Sequence, residues 1–224
     1  MSGIVYTEGV WKIYGSKGAH LVEAVNDASV EIEEGKVTAF GGPSGSGKST
    51  LLALIGLLTK PTRGKVFIDN EELSALSEVY RTRIRREKIG FIFQANYLIP
   101  QLTAVENVAL PKVCTDTARS DAEKAAEEKL IALDMGNRLD FRVAELSGGE
   151  QQRVSIARSL MNSPKILIAD EPSSSIDEKL TDELLASLRK MADDEGLTVI
   201  VATHDQRVLN WADHLYTMSE GTIV

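Results

Sequence analysis

Gly42-Pro43-Ser44-Gly45-Ser46-Gly47-Lys48-Ser49 is the stretch on which the fold turns. It satisfies G-x-x-x-x-G-K-[ST] at every fixed position, and its surroundings agree: an apolar strand over 37–40 before it and a helix over 48–58 after it. The glycines let backbone N–H groups turn inward around phosphate oxygens. The start of the helix adds the positive end of a dipole. At this spacing Lys48 is expected to reach the β- and γ-phosphates and Ser49 to ligate Mg²⁺, with Thr50 adding a phosphate contact. A turn that merely starts a helix needs neither a lysine nor a serine at those two positions.

A second constellation lies downstream. Ile166-Leu167-Ile168-Ala169 reads as a buried strand and ends in Asp170-Glu171. A helix over 179–191, burying Leu180, Leu184, Leu185, Leu188 and Met191, leads to another apolar strand over 198–202. That is a βαβ unit, so the sheet is largely parallel. Acids at the C-terminal end of such a strand lie where α/β sheets bind ligands. Asp170 fits the Mg²⁺-linked acid of a phosphate-loop nucleotidase, and Glu171 the general base for an attacking water.

The rest of the chain divides around these elements. Period-two alternation over 29–33, the turn at Gly35 and a short strand over 65–69 predict three to five strands in a mainly antiparallel sheet beside the phosphate loop. The helix over 48–58 is apolar almost all round, so it is expected to be buried on most sides, with Pro61 and Gly64 ending it. Residues 73–88 read as a polar helix carrying Arg81, Arg83, Arg85, Arg86 and Lys88, a solvated face diluted by Glu78 and Glu87. Ile89 to Phe93 is a strand. Residues 120–133 read as an amphipathic helix on Ala122, Ala125, Ala126, Ile131 and Leu133, inside a helical insert over about 95–160. The nucleotide-binding core with its β subdomain then covers about 1–94 and 161–224 of a single domain.

Composition excludes several classes. Lys plus Arg number 25 against 33 Asp plus Glu, a net charge of −8, which argues against a phosphate-tracking nucleic-acid binder. The single cysteine, Cys114, excludes an internal disulfide framework and fits a reducing cytoplasm. The longest apolar run, 51–58, is far short of the roughly 20 residues a spanning helix needs. Residues 1–8 show neither the basic start nor the apolar stretch of a secretory leader.

Leu146-Ser147-Gly148-Gly149-Glu150-Gln151-Gln152-Arg153 opens a helix with Val154, Ala157, Leu160 and Met161 on one face. Ser147 and Glu150 form a capping box, and two glycines and a serine at a helix start suit an anion. This segment resembles the ABC-transporter signature. With the phosphate loop and the Asp170-Glu171 pair, the resemblance covers essentially the whole chain. It implies an α/β P-loop NTPase core with a mainly parallel sheet, an antiparallel β subdomain and a helical subdomain. It also implies ATP as substrate and a head-to-tail homodimer in which Ser147 and Gly149, with Gly148 between them, contact the γ-phosphate held by the other subunit. By the same resemblance, Gln94 senses Mg²⁺ and the attacking water, and His204 is the switch residue on the γ-phosphate. Ser175-Ile176-Asp177 bridges the dimer, and Tyr14 stacks on adenine, with Trp11 as its competitor. Gly41 departs from the usual larger apolar residue, so a looser strand end is expected there.

The segments 94–100 and 102–108 look most like the lipoprotein-release and macrolide-export branch of the family, and no C-terminal regulatory domain is expected. That resemblance implies an ATPase peripheral on the inner face of the membrane. Exposed Tyr97, Leu98, Ile99 and Pro100 would then form its groove for a permease. An importer ATPase, a cell-division-type regulator and a soluble non-transport ATPase are the alternatives.

Overall fold

The computed structural model describes residues 3–15, 21–174 and 176–224. Ser175, from the segment expected to bridge a dimer, and Met1 and Ser2, from the stretch read for a leader, lie outside the described residues. In chain order the first half comprises β1 (Gly3–Tyr14), β2 (Val22–Ala28), β3 (Glu31–Glu33), β4 (Val37–Gly41), α1 (Lys48–Ile55), β5 (Arg63–Ile68), β6 (Glu71–Glu72), α2 (Glu78–Lys88) and β7 (Ile89–Ile92). The second half comprises α3 (Ala104–Ala109), α4 (Arg119–Ile131), α5 (Gly148–Ser159), β8 (Ile166–Asp170), α6 (Glu178–Glu195), β9 (Thr198–Ala202), α7 (Gln206–Trp211), β10 (His214–Ser219) and β11 (Thr222–Ile223).

Two sheets result. One is antiparallel, in the order β2-β1-β5-β6 with β3 also paired to β1. The other runs β11-β10-β4-β9-β8-β7 and is parallel apart from the terminal β10–β11 hairpin. Helix α1 lies between them. Its Leu51, Leu52, Leu54 and Ile55 share one buried cluster with Val5, Val25 and Val66 of the antiparallel sheet and Phe40, Ile168 and Ile200 of the parallel sheet. Each such side chain contributes about 1.5–3 kcal/mol on burial. The opposite face of the parallel sheet is covered by α6 through Leu184, Leu185 and Leu188. Helices α3 and α4 form a third cluster with Val154, Ala157 and Met161.

Helix α5 differs from the one-faced helix its sequence suggests. Val154 and Ala157 face the helical cluster, while Ile156 and the adjoining Leu160 face the sheet. Gln152 and Ser155 are buried as well. The helix therefore belongs to two cores at once.

Several boundaries differ from the sequence reading for local reasons. Helix α1 stops at Ile55, where Gly56 caps it and Leu57 turns left-handed at φ 58°, so Pro61 and Gly64 do not end it. The strand over 29–33 begins only at Glu31. Helix α2 starts at Glu78 rather than 73, since Leu73 is drawn into the core. In α4 the inward position is Leu130, and Ile131 is exposed. Leu180 and Met191 on α6 are only half-buried. The basic run is not a uniformly solvated face: Arg81 is buried and donates to the Leu57 carbonyl at 3.2 Å, as Arg85 does at 2.8 Å. Nor is the strand end at Gly41 loose. A Cβ there would lie 3.1 and 3.2 Å from the two methyls of Leu209, which fill the space from α7.

Two glycine substitutions separate these effects. Gly47 precedes α1 at φ +102°, and a Cβ there would sit 2.2 Å from the Ala24 carbonyl oxygen. Gly47→Ala is expected to cost at least about 1–3 kcal/mol from backbone strain and to abolish binding of a fluorescent ATP analogue. Gly41→Ala meets only the movable ends of Leu209 and Leu215, and its denaturation midpoint and nucleotide affinity are expected to stay near wild type.

Candidate active site

Strand β4 delivers the phosphate loop into a cavity of about 480 Å³ lined by residues 44–50 together with Gln94, Glu171 and His204. The loop is tied from outside to Gly221, which is itself tied to β2. The Gly221 N–H donates to the Ser46 carbonyl at 3.0 Å, and the Gly221 carbonyl accepts from the Asn26 N–H at 2.8 Å. The β10–β11 turn thus clamps the loop against β2. Lys48 is buried, and its Nζ donates to the carbonyls of Gly42 at 2.7 Å and Pro43 at 2.9 Å. An ammonium held on carbonyls can exchange them for phosphate oxygens without being desolvated afresh. The buried Ser46 hydroxyl has no hydrogen-bond partner among the described residues. An unpartnered buried donor inside such a loop suits an anion.

On the other side Glu171 lines the cavity and Asp170 adjoins it through Ser49. Asp170 ends β8, and its Oδ1 accepts from the Ser49 hydroxyl at 3.0 Å. Burial pushes the Asp170 carboxyl above its ordinary value, the Ser49 hydrogen bond opposes this, and the negative Glu171 adds to it. Glu171 follows with φ 49°, a left-handed conformation uncommon for a non-glycine residue. The turn aims its carboxylate at residues 203–204. Its Oε1 lies 2.9 Å from His204 Nδ1, and its Oε2 accepts from the Thr203 hydroxyl at 3.1 Å.

Gln94 is exposed in the cavity wall. The two residues beyond its neighbour, Asn96 and Tyr97, are left-handed at φ 56° and 46°. Their carbonyls accept from the Arg158 guanidinium of α5, at 2.7 Å for Tyr97. Tyr97 is 68% exposed and Ile99 and Pro100 are exposed, but Leu98 is half-buried against the helical cluster and does not belong to that surface.

The remaining predicted residues stand apart from this cavity. Tyr14 does not line it, although its cross-strand partner Val22 does. Trp11 pairs across to Arg63 instead, whose guanidinium lies 5.8 Å from its ring. Ser147, Gly148 and Gly149 form the start of α5 outside the cavity, and Asp177 caps α6 by accepting from the Leu180 N–H at 2.9 Å. Sequence reasoning missed residues 22–24, 220 and 221 in the wall, and Thr203 behind Glu171. The clamp of Gly221 on the loop is long-range and carried no local signal.

The capping box read from Ser147 and Glu150 is formed. The Ser147 hydroxyl accepts from the Glu150 N–H at 3.3 Å, and Glu150 Oε2 accepts from the Ser147 N–H at 2.8 Å. Arg138 Nε donates to Glu150 Oε1 at 2.8 Å. The Ser147 N–H, and then Arg138, hold the Glu150 carboxyl below its ordinary value of 4.5.

A family model described as ABC transporter matches residues 25–174. An uncharacterised ABC transporter ATP-binding protein of Thermotoga maritima is 41% identical, covering 100% of this chain and 94% of the relative. The lipoprotein-releasing system ATP-binding protein LolD of Novosphingobium aromaticivorans is also 41% identical, covering 93% of each. Among solved structures, the dimeric post-hydrolysis state of the ATP-binding cassette MJ0796 bound to ADP and Pi superposes with a TM-score of 0.92 at 39% identity, covering 98% of this chain and 96% of that one. The chain belongs to the ABC transporter ATP-binding family, and it is an ATP hydrolase.

A depressed carboxyl pKa contributes stability that is full above the unfolded value and is lost as pH falls through the folded one. Glu150→Gln keeps a side-chain acceptor at the cap and loses the charge. Its deficit in unfolding free energy at pH 7 is expected to shrink below pH 4.5 and to vanish once wild-type Glu150 is protonated, as read by urea titrations across that range.

Proposed function

We propose that two copies of this chain bind two ATP molecules head to tail and drive a membrane permease of the lipoprotein-release or macrolide-export type. The reading is carried by the separation of two half-sites: the phosphate loop, Glu171 and His204 share one cavity, while Ser147 to Gly149 lie outside it. A second copy, approaching head to tail, supplies the missing signature end. The dimeric state described for the MJ0796 cassette and the lipoprotein-releasing names of several relatives support this.

In this scheme the loop N–H groups and Lys48 hold the β- and γ-phosphates, and Tyr14 stacks on the adenine. Glu171 takes a proton from the water that attacks the γ-phosphorus, giving ADP and phosphate. Gln94 orients that water, and His204 turns from Glu171 toward the γ-phosphate. The Ser49 hydroxyl and Asp170 carboxylate, with Gln94, are hard oxygen donors beside the phosphate loop, and they fit Mg²⁺. Bound there, it would neutralise charge on the phosphate oxygens.

The helical unit over about 95–160 and the rest of the domain would move relative to each other on closure, Asp177 joining the dimer contact. The permease would dock at a second cavity of about 540 Å³, lined by Phe91, Phe93 and Tyr97 with Leu58 and Leu110. Among the described residues no helix is long and apolar enough to cross a membrane, which agrees with peripheral attachment on the inner face through that partner.

Glu171→Gln is expected to slow ATP hydrolysis at least ~10²-fold while trapping an ATP-bound dimer in size-exclusion chromatography; wild-type turnover would remove Glu171 as the base. Lys48→Ala is expected to lose tight ATP binding by calorimetry. The trapped dimer, retrieved from detergent-solubilised membranes, is expected to bring down an integral membrane protein with few spans and a large extracytoplasmic part. Recovery of soluble proteins or nucleic acid alone would overturn the transport reading.

A further inference from the structure

The carboxylate of Glu171 has two side-chain partners of opposite character. His204 is 73% exposed at its side chain and meets Oε1. Thr203 is fully buried and meets Oε2. The Thr203 hydroxyl also accepts from the Asp205 N–H at 3.0 Å. That bond occupies a lone pair and leaves the hydroxyl proton directed at the carboxylate. The backbone fixes both ends: the Thr203 N–H donates to the Phe40 carbonyl at 3.1 Å, and the Glu171 N–H to the Ala202 carbonyl at 2.8 Å. Ser173 adds a further tie between the two loops, its hydroxyl 3.3 Å from Asp205 Oδ2.

We infer that Thr203 is the permanent positioning residue of Glu171, and that His204 is its exchangeable one. This rests on the assignment of Glu171 as the base. An exposed imidazole that turns to the γ-phosphate releases Oε1. The left-handed Glu171 would then lose its orientation unless another donor stayed in place. Thr203, buried behind it and oriented by Asp205, stays. The freed Oε1 can then accept the proton of water while Oε2 remains anchored.

The test is steady-state ATP hydrolysis over a range of ATP concentrations, with nucleotide affinity measured separately. Thr203→Val keeps shape and removes the donor. It is expected to lower kcat about tenfold or more, the scale of one hydrogen bond to a charged group, with KM and ATP affinity within about twofold of wild type. Thr203→Ser restores the hydroxyl and is expected to return kcat to within about threefold of wild type. If Thr203→Val does not fold, Thr203→Ala carries the same expectation. Unchanged kcat in the hydroxyl-free variant, equal losses in valine and serine variants, or a parallel loss of ATP affinity would each overturn the inference. The Glu171→Gln/Thr203→Val double variant separates this from the underlying reading. If Thr203 acts through Glu171, the double variant is no slower than Glu171→Gln alone. Multiplying losses would overturn the role of Thr203 and leave the base intact, whereas wild-type turnover in Glu171→Gln would overturn both.

Discussion

The burial of α1 between two sheets is the interaction on which the rest depends. A helix of Leu51, Leu52, Leu54 and Ile55 cannot be left against water on any broad side, so both sheets close on it. Its first residue is Lys48, so the same burial fixes the phosphate-binding end relative to the C-terminal end of β8. The contact of Ser49 with Asp170 is the visible result, joining residues 121 positions apart. The site is therefore a by-product of core packing: its precision is supplied by buried apolar residues that do not line the cavity.

Much of this was legible in the sequence because it is local. The phosphate loop, the strand ending in Asp170-Glu171 and the capping box at Ser147 are each written within eight residues, and each forms where it was read. Residues 198–202 were readable because a strand covered on both faces has to be continuously apolar. Helix ends were less legible. Leu57 and Leu58 continue the apolar run of α1, but Gly56 and the left-handed Leu57 divert the chain before them. Tertiary packing overrode periodicity at Leu130 and Ile131 in the same way.

What escaped the sequence was mainly long-range. Arg81 reads as one of five basic residues on a polar helix, yet its distance from the Leu57 carbonyl makes it an anchor. Gly41 reads as a gap, and Leu209, distant in sequence, fills it. The clamp of Gly221 on Ser46 and the hydroxyl of Thr203 behind Glu171 belong to the same class. None alters a motif, and each is set by how two loops meet once the sheet has ordered them.

The double membership of α5 has a mechanical meaning. At about 1.5 Å per residue, its 12 residues make a rod of about 18 Å. Arg158, near one end, grips the carbonyls of Asn96 and Tyr97. Ser147 caps the other end, and Gln152 donates to the carbonyl of Pro172, directly after Glu171, at 3.0 Å. A force on the exposed ring of Tyr97 therefore meets a stiff lever with its pivot close to Glu171. The load either breaks the grip of Arg158 or is delivered, as displacement, to the far end of the rod.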